Sequence, residues 1–102
     1  MITEFVKFKA LDATTDEQLI SETENLITDF WKNQDGFIDS ELMKSEDDNK
    51  EWCSIYHFES MEKLKNGAEK MRTSKEFGEF MNLLEPGSIR ISFYHFFKNW
   101  KS

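Results

Sequence analysis

Two histidines, His57 and His95, are the side chains in this sequence best suited to moving protons near neutral pH, where imidazole changes charge. Each closes an apolar, β-favouring run: Trp52-Cys53-Ser54-Ile55-Tyr56-His57-Phe58 and Ile89-Arg90-Ile91-Ser92-Phe93-Tyr94-His95. His57 shares its parity with Ile55, and His95 shares its own with Phe93. If that parity faces the helices, both rings enter one sheet–helix space about 10 Å apart, two strand spacings, with room for a flat aromatic ligand. A half-buried histidine satisfied by backbone or water is the competing reading of each. Trp52 and Phe93 are candidate walls for such a ligand, although a Trp at the start of a strand is more often core or interface than a substrate stacker. Arg90 is a candidate anchor for an anionic substituent, unless it pairs with an acid across the sheet. Tyr56 and Tyr94 lie at the other parity and are expected in a subunit interface. Ser54 and Ser92 have no base beside them at the right parity, so a serine nucleophile is not expected.

The elements that must position these residues follow from periodicity and punctuation. Residues 2–10 alternate loosely around Ile2, Val6 and Phe8, as a strand does. Thr14 with Glu17 offers a capping box for a helix whose apolar stripe runs from Leu19 to Trp31. Gly36 ends it. Phe37–Lys44 reads as a polar edge strand, and the acidic turn 46–50 joins it as a hairpin to the strand carrying His57. Ser60 caps the next helix, which carries Met61, Leu64, Ala68 and Met71. Thr73 with Glu76 opens a short helix through Phe77, Phe80, Met81 and Leu84, and Pro86-Gly87 stops it. The chain closes on the alternating strand from Ile89 to Phe97.

The order strand, helix, strand, strand, helix, strand predicts an α+β, ferredoxin-like βαββαβ sandwich over residues 1–102. Its antiparallel sheet has strand order 4-1-3-2, with helices on one face. The other face should then be polar, yet Phe5, Tyr56, Phe58, Tyr94 and Phe96 fall opposite Val6, Ile55, Ile91 and Phe93. Two sheets packed face to face would bury them, so a homodimer sharing an α/β barrel is expected. The 15% aromatic content of a 102-residue chain, more than one small core needs, points the same way.

Composition excludes several classes. A net charge of -7 without a basic cluster leaves no footprint for nucleic acid or an anionic membrane. The single cysteine, Cys53, cannot form an intrachain disulfide or a cysteine metal cluster and reads as a small buried hydrophobe. Two histidines without ligand-spaced neighbours give no metal site. Met1-Ile2-Thr3-Glu4-Phe5 lacks the basic and apolar run of a signal peptide, and no stretch reaches membrane-spanning length, so a cytoplasmic protein is expected.

Three local signatures, spread over nearly the whole chain, resemble the antibiotic-biosynthesis-monooxygenase family of dimeric α/β barrels. They are Gln34-Asp35-Gly36-Phe37-Ile38-Asp39-Ser40-Glu41-Leu42, Phe58-Glu59-Ser60-Met61-Glu62-Lys63-Leu64 and Ser74-Lys75-Glu76-Phe77-Gly78-Glu79-Phe80. The resemblance implies a cofactor-independent monooxygenase, with no cofactor and no metal, acting on a small aromatic or quinol-like metabolite. Its chemistry needs an apolar cavity, a base for a phenolic proton and donors for the resulting oxyanion, and His57 and His95 are the expected proton carriers. Phe58 stands where many relatives carry Trp. In the haem-degrading branch of the superfamily an Asn, a helix Trp and a helix His do the work; Gly67 and Met81 occupy the corresponding helix positions here, which disfavours that route. A non-catalytic dimeric ligand-binding or stress-response module on the same fold is the alternative.

Overall fold

The structure, a computed structural model, describes residues 1–102. β1 (Ile2–Lys9) leads through α1 (Asp16–Asp29) and a 3-10 turn (Trp31–Asn33) to β2 (Phe37–Lys44) and β3 (Glu51–Phe58). α2 (Met61–Met71) and α3 (Lys75–Met81) then return the chain to β4 (Arg90–His95). The sheet is antiparallel throughout, in the order β2-β3-β1-β4, which is the expected 4-1-3-2 read from the other edge. The polar strand β2 is indeed at an edge and pairs with β3 as a hairpin.

Helix starts are set by short polar caps, and twice the cap is one residue later than expected. Thr15, not Thr14, caps α1 in a box with Gln18, because the Thr14 hydroxyl donates instead to the Leu83 carbonyl 2.8 Å away. Ser74, not Thr73, caps α3, while the Thr73 hydroxyl donates to Lys70 O. Ser60 caps α2 as expected. Gly36 enters β2 at φ 85°, a left-handed conformation that a side chain would strain.

The core occupies one face of the sheet. Ile2 and Phe8 of β1 and Trp52, Tyr56 and Phe58 of β3 pack with Leu19 and Leu26 of α1, Leu64 of α2 and Phe80 of α3. Trp31, 2% exposed, is the hinge of this packing, with Phe30, Phe37, Tyr56 and Phe58 around its indole at centroid distances of 5.0–6.4 Å. α2 closes over it at Gly67, where an added Cβ would lie 2.8 Å from a Trp31 ring carbon.

This packing corrects the expected facing of β3. Its even residues Trp52, Ser54, Tyr56 and Phe58 are 0–6% exposed beneath the helices, so Tyr56 and Phe58 are core residues rather than interface residues. Ile55, Cys53 and His57 therefore lie on the opposite face, and Cys53 is only half-buried. β4 behaves as expected. Phe93 and Ile91 pair with Glu4 and Val6 on the helix side, and Tyr94 meets Phe5 edge-on, 5.3 Å away, on the outer face.

Candidate functional site

Between β4 and the pair α2–α3, the helices do not close fully onto the sheet. They leave a cavity of about 510 Å³. Its walls are mostly apolar, with Val6 and Phe93 on the sheet side and Met61, Ala68, Met71 and Phe77 on the helix side. Lys65 and Glu69 of α2 and Arg72 at its C-terminal cap, all exposed, form a charged rim. An apolar chamber of this size with few polar groups is the usual form of a small-molecule site.

Three polar side chains enter it from the sheet: Glu4 of β1, and Ser54 and Tyr56 of β3. Strand alternation puts them there, since Ile2, Glu4, Val6 and Phe8 share one face. Glu4 is 8% exposed and makes no hydrogen bond or ion pair with another side chain. Burial alone pushes its carboxyl up to about 7, so near neutral pH it both holds and releases a proton. Tyr56, directly opposite Glu4, is 5% exposed. Burial and the Glu4 charge push its hydroxyl well above the usual tyrosine range, so it stays a protonated donor. Ser54 and Trp31 lie beside the Tyr56 hydroxyl, yet Ser54 Oγ and Trp31 Nε1 are both buried without a formed hydrogen bond. The arrangement can accept a proton from a bound hydroxyl at Glu4 and offer donors to an oxygen anion.

The expected residues are distributed differently. His57 does not enter the sheet–helix space, because it follows the buried Tyr56 and so points to the outer face. Its Nδ1 lies 2.9 Å from Thr3 Oγ1, and its Nε2 lies 3.0 Å from Glu41 Oε1 and 3.7 Å from Asp39 Oδ1. Asp39, Glu41 and His57 bring ligand-type atoms within 4.8 Å of one another, a juxtaposition across β2 and β3 that linear spacing did not reveal. A bulge between Phe37 and Asp39 creates it by setting Asp39, rather than Ile38, opposite His57. His95 is exposed at the end of β4 and borders, with His57, Phe5 and Tyr94, a hollow on the outer face. His57 thus lies on the side of the sheet away from the cavity, His95 keeps the parity of Phe93 at the end of β4, and neither lines the cavity.

Of the three expected substrate contacts, Phe93 lines the cavity. Trp52 is buried at the far end of β3 with the Lys44 ammonium 5.2 Å over its ring. The Arg90 guanidinium pairs with no acid and instead donates to the carbonyls of Gly87 and Ile89 at 2.9 and 2.8 Å. Glu4 escaped the sequence reading. The available signal was a lone carboxylate on the Ile2–Val6–Phe8 parity of a strand.

The family model for antibiotic biosynthesis monooxygenase matches residues 1–83. Among solved structures, a point mutant of SnoaB, a cofactor-independent oxygenase from Streptomyces nogalater, superposes with a TM-score of 0.79 at 11% identity, over 99% of this chain and 97% of that one. A Shewanella oneidensis protein gives a TM-score of 0.69 at 21% identity, over 92% and 88% of the two chains. A conserved protein from Methanosarcina mazei gives 0.70 at 15% identity, over 91% and 89%. At these identities the structures show a common fold. No curated protein matches the chain.

Proposed function

The chain belongs to the antibiotic biosynthesis monooxygenase family, and on that premise we propose that it is a cofactor-independent monooxygenase for a small, apolar phenol or quinol-type aromatic bound in the helix–sheet cavity. The observation that carries this reading is Glu4, an ionisable group with no side-chain partner, held near neutral pKa in an otherwise apolar chamber. An unperturbed phenol has a pKa near 10. A carboxylate poised at about 7 is a better base for it than an ordinary surface carboxylate. Loss of the phenolic proton to Glu4 leaves an electron-rich anion that gives one electron to molecular oxygen. The two radicals then combine at a ring carbon bearing hydrogen. The resulting peroxide collapses so that one oxygen atom stays on carbon as a carbonyl and the other leaves as water. Tyr56 supplies a donor to the anion. Proton transfer falls to Glu4 rather than to His57 and His95, neither of which lines the cavity.

The same reading includes a homodimer formed through the outer face, where Phe5, Tyr94 and Phe96 supply an apolar surface.

The test is oxygen uptake with a panel of hydroxynaphthalenes and hydroquinones. One or more should be consumed, and Glu4→Gln should lower kcat about 100-fold or more, as loss of a general base does. Undiminished turnover in Glu4→Gln would remove the base. Tight phenol binding with no oxygen uptake would instead favour a non-catalytic binding module.

A further inference from the structure

Ser54 is 2% exposed, lines the cavity, and its Oγ forms no hydrogen bond in the protein although the Tyr56 hydroxyl lies beside it. A buried hydroxyl in that state is rare in a folded protein and is met by water or by a ligand. The ladder fixes what lies beside it. Ser54 pairs with Val6, and Glu4 is two residues along β1 on the same face, so the two are diagonal neighbours about 7–8 Å apart at the backbone. Both side chains line the same cavity, so a ligand oxygen bound beside them meets a hydroxyl that can donate and a carboxylate that accepts.

We propose that Ser54 is the specificity-determining residue of the cavity. Its hydroxyl donates to the same ligand oxygen whose proton Glu4 accepts, so the site selects aromatic hydroxyl compounds over their ethers and parent hydrocarbons. Only a hydroxyl meets both demands. An ether or carbonyl oxygen accepts from Ser54 but leaves Glu4 facing a lone pair, and a hydrocarbon leaves both groups unpaired in an apolar chamber. No cationic side chain lies among the deep groups, since Lys65 and Arg72 are exposed at the rim. The ligand therefore enters with its hydroxyl neutral. A serine nucleophile needs a base beside it, and no histidine lines this cavity. The ladder instead places an acid diagonal to Ser54, and the pairing serves recognition.

This inference rests on the cavity being the ligand site, as in the proposed function, but not on turnover. The test is anaerobic, so that nothing is consumed, and compares 2-naphthol, 2-methoxynaphthalene and naphthalene by titration calorimetry at pH 8. The wild-type chain should prefer the naphthol to the ether by about tenfold or more, the scale of one buried hydrogen-bond pair. Ser54→Ala should weaken the naphthol and the ether alike by about tenfold relative to naphthalene, leaving the naphthol-over-ether preference that Glu4 sets, and Ser54→Thr, which keeps a hydroxyl, should restore both. Naphthalene binding as tight as in the wild type, or tighter now that no Ser54 hydroxyl is left unpaired, certifies that the alanine variant is folded. A full naphthol-over-naphthalene preference surviving in Ser54→Ala overturns the assignment. If none of the three probes binds the wild-type chain, the cavity reading falls and this inference falls with it. Selective binding without oxygen consumption would overturn the enzyme reading alone and leave Ser54 in place.

Discussion

Glu4 and Tyr56 stand directly opposite each other across β1 and β3, both under the helices, and neither is paired with a cation. A carboxyl raised from 4.5 to about 7 is stabilising to the fold only while protonated. Below pH 4.5 the folded and unfolded chains both carry the proton, so nothing is lost. Between pH 4.5 and 7 the unfolded chain ionises first, and by pH 8 the folded state has lost about 3 kcal/mol, from 1.36 kcal/mol per pKa unit. Tyr56 from β3 and Lys65, Glu69 and Arg72 from the α2 rim are the titratable or charged groups that face Glu4 around the cavity. Urea unfolding at pH 5 and pH 8 should show wild type weakening relative to Glu4→Gln. Parallel losses in the two proteins would refute the buried ionisation.

Gly67 is a packing requirement. Gly→Ala in a helix ordinarily gains about 1 kcal/mol. Here the new methyl would meet the rigid, fully enclosed Trp31 indole at 2.8 Å, and overpacking of that kind costs about 1–3 kcal/mol. The clash should win, so Gly67→Ala is expected to lower the melting temperature by several degrees. A rise would mean that the indole has room to move.

The cavity should separate the expected ligand contacts by experiment. Phe93→Ala removes wall surface that is already 44% exposed, so naphthalene affinity should fall only about fivefold, equivalent to roughly 1 kcal/mol. Arg90→Ala and His57→Ala should leave it within about twofold, because neither side chain lines the cavity. A large loss in either would contradict the geometry described above.

A charge on the outer face should separate the subunits. Light scattering of the wild-type chain should give about twice 12.2 kDa, and Phe5→Asp, which places a carboxylate against Tyr94, should give the single-chain mass. A wild-type monomer would end the shared-barrel reading.

Much of the architecture was legible because it rests on local rules. Capping residues, the Pro86-Gly87 stop and the polar face of β2 each act within a few residues, and together they ordered the strands correctly. The shifts from Thr14 to Thr15 and from Thr73 to Ser74 are one-residue matters in which two adjacent hydroxyls competed for the cap. Contacts such as Thr14 with Leu83, 69 residues away, chose between them. The facing of β3 was not legible. Bulky residues occupy both its parities, so alternation carries no sign there, and a strand's inner face is defined only by what packs on it.

The sequence by itself determined an α+β domain, its strand order, its aromatic surplus and its kinship. It also held every residue of the candidate site. Only the tertiary structure decided that Glu4, Ser54 and Tyr56 meet in one chamber that neither His57 nor His95 lines. Burial, pairing across strands and the desolvation that lifts Glu4 are properties of residues distant in sequence and adjacent in space, and no local pattern encodes them.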